Sequence, residues 1–402
     1  MIEKPRVGLL HYFFVVGDKI ARLPAPVLAL SLAALTVGAA RPWMAATHSR
    51  ALGYGVGAGL AAFMISDWIM LAWLPRAGRS FGPVGMTLLA LAIARWALFA
   101  ATAWIPSTSE SPYSTAALAV IGNLALTGNV LDSLWAEPFR LDVTRIEIES
   151  PRLAGHPPIR VLHLSDLHVE RITARERRLL ELVEELRPDL IVFTGDFLNL
   201  SFLDDARAQS DCREILSRLR APLGVYAING SPSVDRPHVV CKVLDGLDIR
   251  HLDNRVEPLK LWPEDEPALV LVGVTCTNDA VRDGESLRQV MASVPNNPST
   301  PFTLLLYHSP DLMPEAARAG VDLFLAGHTH GGQIRLPLIG ALVTSSIYWK
   351  RYEMGLYTEG HTRLYVSRGI GMEGLGAPRA RFLCPPEIEL FELRGTENEP
   401  RP

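Results

Sequence analysis

The chain has 402 residues, 48% of them hydrophobic and 20% charged, with a formal net charge of −4, and is long enough for two or more domains. That balance excludes a basic field able to neutralise a polyphosphate backbone, so nucleic acid is not an expected partner. Four cysteines, Cys212, Cys241, Cys276 and Cys384, lie far apart with no Cys-x-x-Cys pair; this excludes a disulfide framework or zinc knuckle and predicts buried thiols in a reducing compartment.

The first third reads as a membrane bundle. Apolar runs cover about 23–40, 51–74, 83–104 and 116–135, each near the roughly 20 residues a helix needs to cross the hydrocarbon core. Trp73, Trp104 and Trp135 stand near the ends of runs, where indole rings prefer the interface. The first run is too long, and too poorly matched to a small-x-small cleavage site, for a removable signal peptide. With the N-terminus inside, the inner flanks hold Lys4, Arg6, Lys19, Arg22, Arg76, Arg79, Arg140 and Arg145, and the outer loops only Arg41 and Arg50. This asymmetry predicts a multi-pass cell-membrane protein whose C-terminal domain faces the cytoplasm. Asp67, Arg95, Asn123, Asn129 and Asp132 fall inside the runs. Arg95 is expected to pair with Asp67 or Asp132, and the asparagines to bond across helices.

A transmembrane domain is thus expected over 1–140, a linker over 141–157, an α/β domain over 158–393 and a disordered tail over 394–402. In the third of these, short β-rich runs alternate with amphipathic helices: RVLHLS, LIVFTG, GVYAIN, ALVLVGV, FTLLLYHS, VDLFLAG, RLYVS and EIELFEL. The pattern predicts an α/β fold, a mixed sheet with helices packed on it. Thr173 and Glu176 form a capping box for a helix carrying Leu179, Leu180, Leu182, Val183 and Leu186, which ends before Pro188.

Polar residues gather where strands end. Asp166 and His168 follow the first strand, Asp196 the second, His308 a later one, and His328 and His330 the next. Ligand sites of open α/β sheets form beyond the carboxyl ends of strands, so these residues can converge. Asp-x-His and His-x-His each offer two ligands at i and i+2, and the Asp196 carboxylate can bridge two cations. Such a donor set suits one or two divalent ions, zinc, iron or manganese rather than calcium, and two ions can clamp a phosphoryl group while activating water. The glycine-rich stretch SRGIGMEGLGAPRARF lacks Gly-Lys-Ser/Thr and precedes a strand, so it reads as a loop near the site rather than a phosphate loop. Its Arg368, Arg379 and Arg381 are expected to be solvated loop charges, the alternative being contact with an anionic substrate.

In order, SDLH, TGD, LLLYHSPD and AGHTHGGQ resemble the calcineurin-like metallophosphoesterases, in particular their membrane-associated bacterial branch, from about residue 158 to the closing PPEIELFEL. The resemblance implies a sandwich of two mixed sheets flanked by helices, and a dinuclear site that hydrolyses a phosphodiester or phosphomonoester. Carried over by motif, Asp166, His168, Asp196 and His330 would hold one metal, and Asp196, His308 and His328 the other. Asn199 falls where relatives place a second acidic residue, or is an ordinary turn residue. Beside a bilayer, the phosphoester substrate could be a lipid.

One motif departs from the family. Where relatives carry Gly-Asn-His-acid, this chain reads GVYAINGSPSVD, with Ser231, Pro232 and Ser233 after Gly230. Three readings stay open. The first is an active hydrolase in which Ser231, Asn229 or a water fills the lost ligand position and His238 or Asp235 supplies the proton. The second is a metal-binding pseudoenzyme serving as a membrane sensor or scaffold, and the third an enzyme needing a single metal.

Overall fold

A computed structural model of the chain describes residues 16–105, 112–262, 266–294 and 301–396. It divides into a helical unit, residues 8–136 with 374–379, and an α/β unit, residues 137–373 with the chain from 380 onward. Lys4 and Arg6, counted above as inner-flank charges, lie outside the described residues.

The helical unit holds α1 (Ala25–Thr47), α2 (Arg50–Trp73), α3 (Gly85–Thr102) and α4 (Pro112–Leu131), which runs on into a π-helical turn, Asp132–Ala136. Among the described residues, four helices are long and apolar enough to cross a membrane, which marks the chain as membrane-associated. Arg41, expected in an outer loop, lies within α1. Arg95 is fully buried, and its guanidinium grips Asp67 through two bonds of 2.6 Å while reaching the Asn123 carbonyl at 3.0 Å and Thr127 Oγ1 at 2.9 Å. A bidentate pair with further acceptors is what lets a charge persist in an apolar bundle. Asn129 does not bond across helices; its amide donates to Ala125 of its own helix.

In the α/β unit, the described strands form two six-stranded sheets. The first has the order β1 (Asp142–Ser150), β14 (Glu387–Gly395), β2 (Ile159–Leu164), β3 (Leu190–Phe193), β4 (Val225–Ala227), β5 (Arg250–His251). The second runs β12 (Gly355–Glu359), β13 (Thr362–Val366), β9 (Leu323–Ala326), β8 (Phe302–Leu306), β7 (Leu269–Gly273), β6 (Arg255–Leu259). A small hairpin, β10 (Arg335–Leu336) with β11 (Gly340–Ala341), stands apart. Strands β2, β3 and β4 are mutually parallel, as are β7, β8, β9 and β13, whereas the pairs β14–β2, β6–β7 and β12–β13 are antiparallel.

Strand periodicity builds the sandwich. Ile159 and Val161 of β2 share one apolar cluster with Leu269 and Leu271 of β7 and with Phe302, Leu304 and Leu306 of β8. Their neighbours Leu162 and Leu164 face the opposite way, onto α5 (Ala174–Leu186), α6 (Ala206–Ser217) and α7 (Pro237–Leu244). On the outer face of the second sheet, Val270, Val272 and Leu305 meet α8 (Ala280–Met291) and α9 (Met313–Ala319). The α5 capping box is present, with Glu176 Oε2 accepting from the Thr173 amide at 2.8 Å.

Two boundaries differ from expectation. Residues 141–157 are not a linker: β1 pairs with β14 in parallel register from Asp142↔Glu387 to Ser150↔Gly395. Its alternation of charged and aliphatic residues buries Ile148 and exposes Glu147 and Glu149, which hid a half-buried edge strand among polar residues. At the other end Arg394 and Gly395 belong to β14, and residues 397–402 of the expected tail lie outside the described residues.

Candidate metal centre

The six expected ligands all follow carboxyl ends of parallel strands: Asp166 and His168 after β2, Asp196 after β3, His308 after β8, His328 and His330 after β9. Five of the six, all but His308, have left-handed backbone, with φ between 42° and 70°. That conformation costs a non-glycine residue on the order of 1 kcal/mol and persists only where surrounding bonds impose it. Here the Asp166 amide donates to Gly195 O and the His168 amide to Asp196 O, both at 3.0 Å, and the His328 amide reaches the Asp166 carboxylate at 3.1 Å. At Gly327 any Cβ would lie 2.0 Å from Ser165 Oγ and 2.1 Å from Asp166 Oδ2, so glycine is required for this loop to close on the carboxylate.

The side chains form two buried groups, Asp166 with His168 and His330, and Asp196 with His308 and His328. In the first, His168 Nε2 is 3.0 Å from His330 Nε2, and Asp166 Oδ1 is 3.4 Å and 3.9 Å from His330 and His168 respectively. In the second, His308 Nε2 lies 3.1 Å from His328 Nδ1 and 3.3 Å from Asp196 Oδ2. The same Asp196 oxygen is 3.6 Å from His168 Nε2, so it faces both groups. Ligands bound at about 2.0–2.2 Å stand about 3.0 Å apart along an octahedral edge and about 3.4 Å along a tetrahedral one. The donor spacing therefore fits divalent cations in both groups, and the imidazole and carboxylate mixture fits transition metals.

Electrostatics point the same way. Burial, helped by the neighbouring His308, pushes His328 down to about 3, and burial with His168 and Arg381 nearby drives His330 well below the ordinary range. Both imidazoles thus keep a free lone pair at neutral pH. Burial would also lower His308, but the Asp196 carboxylate outweighs it and raises His308 to about 10. Burial alone would raise Asp196; the imidazoles of His308, His168 and His328 hold its carboxyl below the usual range instead. His308 Nδ1 lies 2.8 Å from the Thr194 carbonyl, an arrangement that leaves Nε2 for a cation once the proton is displaced.

Ser231, the first residue of the stretch that departs from the family motif, faces the second group. Its Oγ is 3.1 Å from His308 Nε2, 3.3 Å from His328 Nδ1 and 3.4 Å from Asp196 Oδ2, and its amide donates to Asp196 Oδ1 at 2.7 Å. Asn229, the other candidate, is turned elsewhere, with its Oδ1 2.9 Å from His251 Nε2. His238 is exposed on the first turn of α7 and belongs to neither group. Asp235 is buried, and its carboxylate accepts the amides of Asp196, Phe197 and Gly230 at 2.7, 3.1 and 2.7 Å. The two side chains expected to supply a proton are therefore a surface histidine and a backbone clamp. Asn199 is a buried turn residue, accepting from the Ser201 amide and donating to the Met372 carbonyl.

Burial overturns two further expectations. Arg381 is fully buried, donating to the carbonyls of Gly369 at 3.0 Å and Cys384 at 3.2 Å, with Nη2 3.5 Å from His330 Nδ1. Arg379 is buried as well, and Arg368 is bound to Glu387 at 2.7 Å, so none of the three is a solvated loop charge. The glycine-rich loop turns carbonyls inward, and those acceptors need donors. Cys212, Cys276 and Cys384 are buried thiols, but Cys241 is exposed.

A buried chain behind Asp166 escaped sequence reasoning. His163 Nε2 is 2.8 Å from Thr194 Oγ1, which donates to Ser165 Oγ at 2.7 Å, which in turn donates to Asp166 Oδ2 at 2.5 Å. All four side chains are buried, and the chain fixes the carboxylate's rotation. The available signal was their adjacency to the motifs, in LHLSD and TGD.

Comparison with known proteins decides the family. The calcineurin-like phosphoesterase profile matches residues 159–332, which contain all six expected ligands. The chain carries a calcineurin-like metallophosphoesterase domain. It is 29% identical over 280 residues to the metallophosphoesterase YkuE of Bacillus subtilis, across 68% of this chain and 93% of that one. To the phosphodiesterase YaeI of Escherichia coli it is 29% identical over 240 residues, 59% of this chain and 82% of the other. To the UDP-2,3-diacylglucosamine pyrophosphatase LpxG of Chlamydia muridarum it is 26% identical over 313 residues, 64% and 92% respectively. The chain is a hydrolase of phosphoric esters from a family that binds divalent metals.

Proposed function

We propose that this metallophosphoesterase holds two divalent cations, manganese, iron or zinc, and cleaves a phosphoester or phosphoanhydride of a membrane-derived substrate. Asp166, His168, Asp196 and His330 would hold the first, and Asp196, His308, His328 and Ser231 the second. The observation that carries the reading is Ser231 Oγ within 3.4 Å of all three side chains of the second group, which supplies an oxygen donor where the family's asparagine is missing. When bound, the two cations supply Lewis acidity toward a water and toward the phosphoryl oxygens. Asp196 spans the two positions, and the His163–Thr194–Ser165 chain holds Asp166 in place. The scaffold reading finds no observation in its favour.

Leaving-group chemistry narrows the substrate. Ser231-Pro232-Ser233 carries no imidazole where relatives have one to protonate the departing oxygen, and Asp235 and His238 do not replace it. Hydrolysis then favours groups that depart as stable anions, such as a phosphate within a diphosphate linkage. The pyrophosphatase named among the relatives acts on such a linkage, in a diacylated substrate. We place the domain on the cytoplasmic side, from the asymmetry of Lys and Arg about the helices.

Metal analysis of the purified chain tests the two-cation assignment. Two ions per chain are expected at saturation, and Ser231→Ala should weaken the second by roughly 10- to 100-fold. One ion per chain at saturation would refute it.

A further inference from the structure

The segment that follows the His328–His330 loop breaks the rules of a water-facing surface. From Leu336 to Arg351 it reads LPLIGALVTSSIYWKR, without an acidic residue and ending on two exposed basic ones. Leu338, Ile339, Leu342, Val343, Ile347 and Trp349 are all exposed, Leu338 completely. Leu338 also has a φ of 66° at the tip of the β10–β11 hairpin, where glycine or asparagine would sit with less strain. A leucine unfavourable both in conformation and in hydration, beside five more exposed apolar side chains, marks a surface that water does not cover in use.

The base of this segment is tied to the candidate metal centre. Ser345 Oγ donates to the His328 carbonyl at 2.6 Å, and a Cβ on Gly332 would lie only 2.4 Å from that of Ala341. Ser346 and the Ile347 amide bond to Asp311, and Lys350 Nζ donates to the Ile339 carbonyl at 2.6 Å. Apolar side chains are thus presented from a fastened base. An aliphatic tip, a tryptophan and the adjacent Lys350 match the layering of an anionic bilayer's interface, where hydrocarbon, indole and cation each find their preferred depth, while the neighbouring Arg351 is paired with Glu359.

We propose that the Leu336–Trp349 segment inserts its apolar side chains into the bilayer interface, so that the metal-binding loop works against the membrane surface and takes phosphoesters from lipid headgroups. The inference rests on the reading of the chain as a membrane-tethered phosphoesterase and adds the surface through which substrate is met.

The full-length chain in nanodiscs of phosphatidylcholine and phosphatidylglycerol allows a test that does not depend on turnover. A nitroxide on Leu338→Cys, in a Cys241→Ser background, is compared by power-saturation EPR with one on Val281→Cys, which is 83% exposed on α8. At 338 the ratio of oxygen to nickel-chelate collisions should exceed that at 281 by at least about threefold, the signature of a label below the headgroups. A label at 338 as accessible to the nickel chelate as that at 281 would overturn the proposal. Protection from both reagents would overturn it too, by placing a protein surface, such as a second copy, over the hairpin. An inserted label in a chain that hydrolyses nothing would instead count against the proposed reaction alone.

Discussion

At position 231 one side chain carries the departure from the family and its compensation. In the proposed site serine stands for a longer amide ligand; its amide and hydroxyl both reach Asp196, which would place an oxygen donor at the second group. What is not restored is the acid that follows it in relatives. Replacing Ser231, Pro232 and Ser233 by Asn, His and Asp should raise turnover of alkyl phosphodiesters by about 10²-fold or more, while activated aryl esters change little. An equal change for both leaving groups would show that proton donation is not what the chain lacks. The convergence of the six expected ligands was legible because their motifs are short and ordered. The roles of Asp235, Asn229 and His238 were not, because pairs such as Asn229 with His251 form only when the chain folds, and sequence proximity says nothing of which way a side chain turns.

Among the elements, the loops after β3 and β4 act as one piece. Asp235 accepts three amides from both loops, so the strand end bearing Asp196 and the turn bearing Ser231 are held by a single carboxylate. Burial and the nearby Asp196 raise Asp235 to about 7, the mark of a carboxyl kept in an enclosed site by the structure it organises. Asp235→Ala would leave three buried donors unmet, at roughly 1–3 kcal/mol each, so thermal denaturation in nanodiscs should show a loss of about 3 kcal/mol or more. Asp235→Asn retains one acceptor and should lose less; an alanine variant as stable as the parent would contradict the clamp. Periodicity exposed the buried strands β2, β3, β7, β8 and β9, whose apolar runs are continuous. It missed β1, because an edge strand with one charged face resembles a linker until its partner β14, more than 200 residues away, is known.

For the whole molecule, apolar helices and a phosphoesterase domain in one chain make orientation the property that decides which substrates the domain meets. Counting Lys and Arg predicts a cytoplasmic domain, and the exposed Cys241 on α7 provides the handle. A membrane-impermeant maleimide should leave Cys241 unlabelled in intact cells and label it once the inner membrane is opened; labelling in intact cells would reverse the assignment. The four long apolar helices were read from hydropathy near their places, the first running on to Thr47 where its apolar run was expected to end near residue 40, and the Arg95–Asp67 pair was among the partners foreseen, because few groups in an apolar bundle can satisfy a guanidinium. The central claim, two-cation hydrolysis at a centre bridged by Asp196, is tested most directly by phosphodiester turnover of the purified full-length chain titrated with Mn(II). Turnover that rises to saturation at two equivalents and falls by at least about 10³-fold in Asp196→Asn is expected. No turnover above the Asp196→Asn variant with any divalent metal would contradict it.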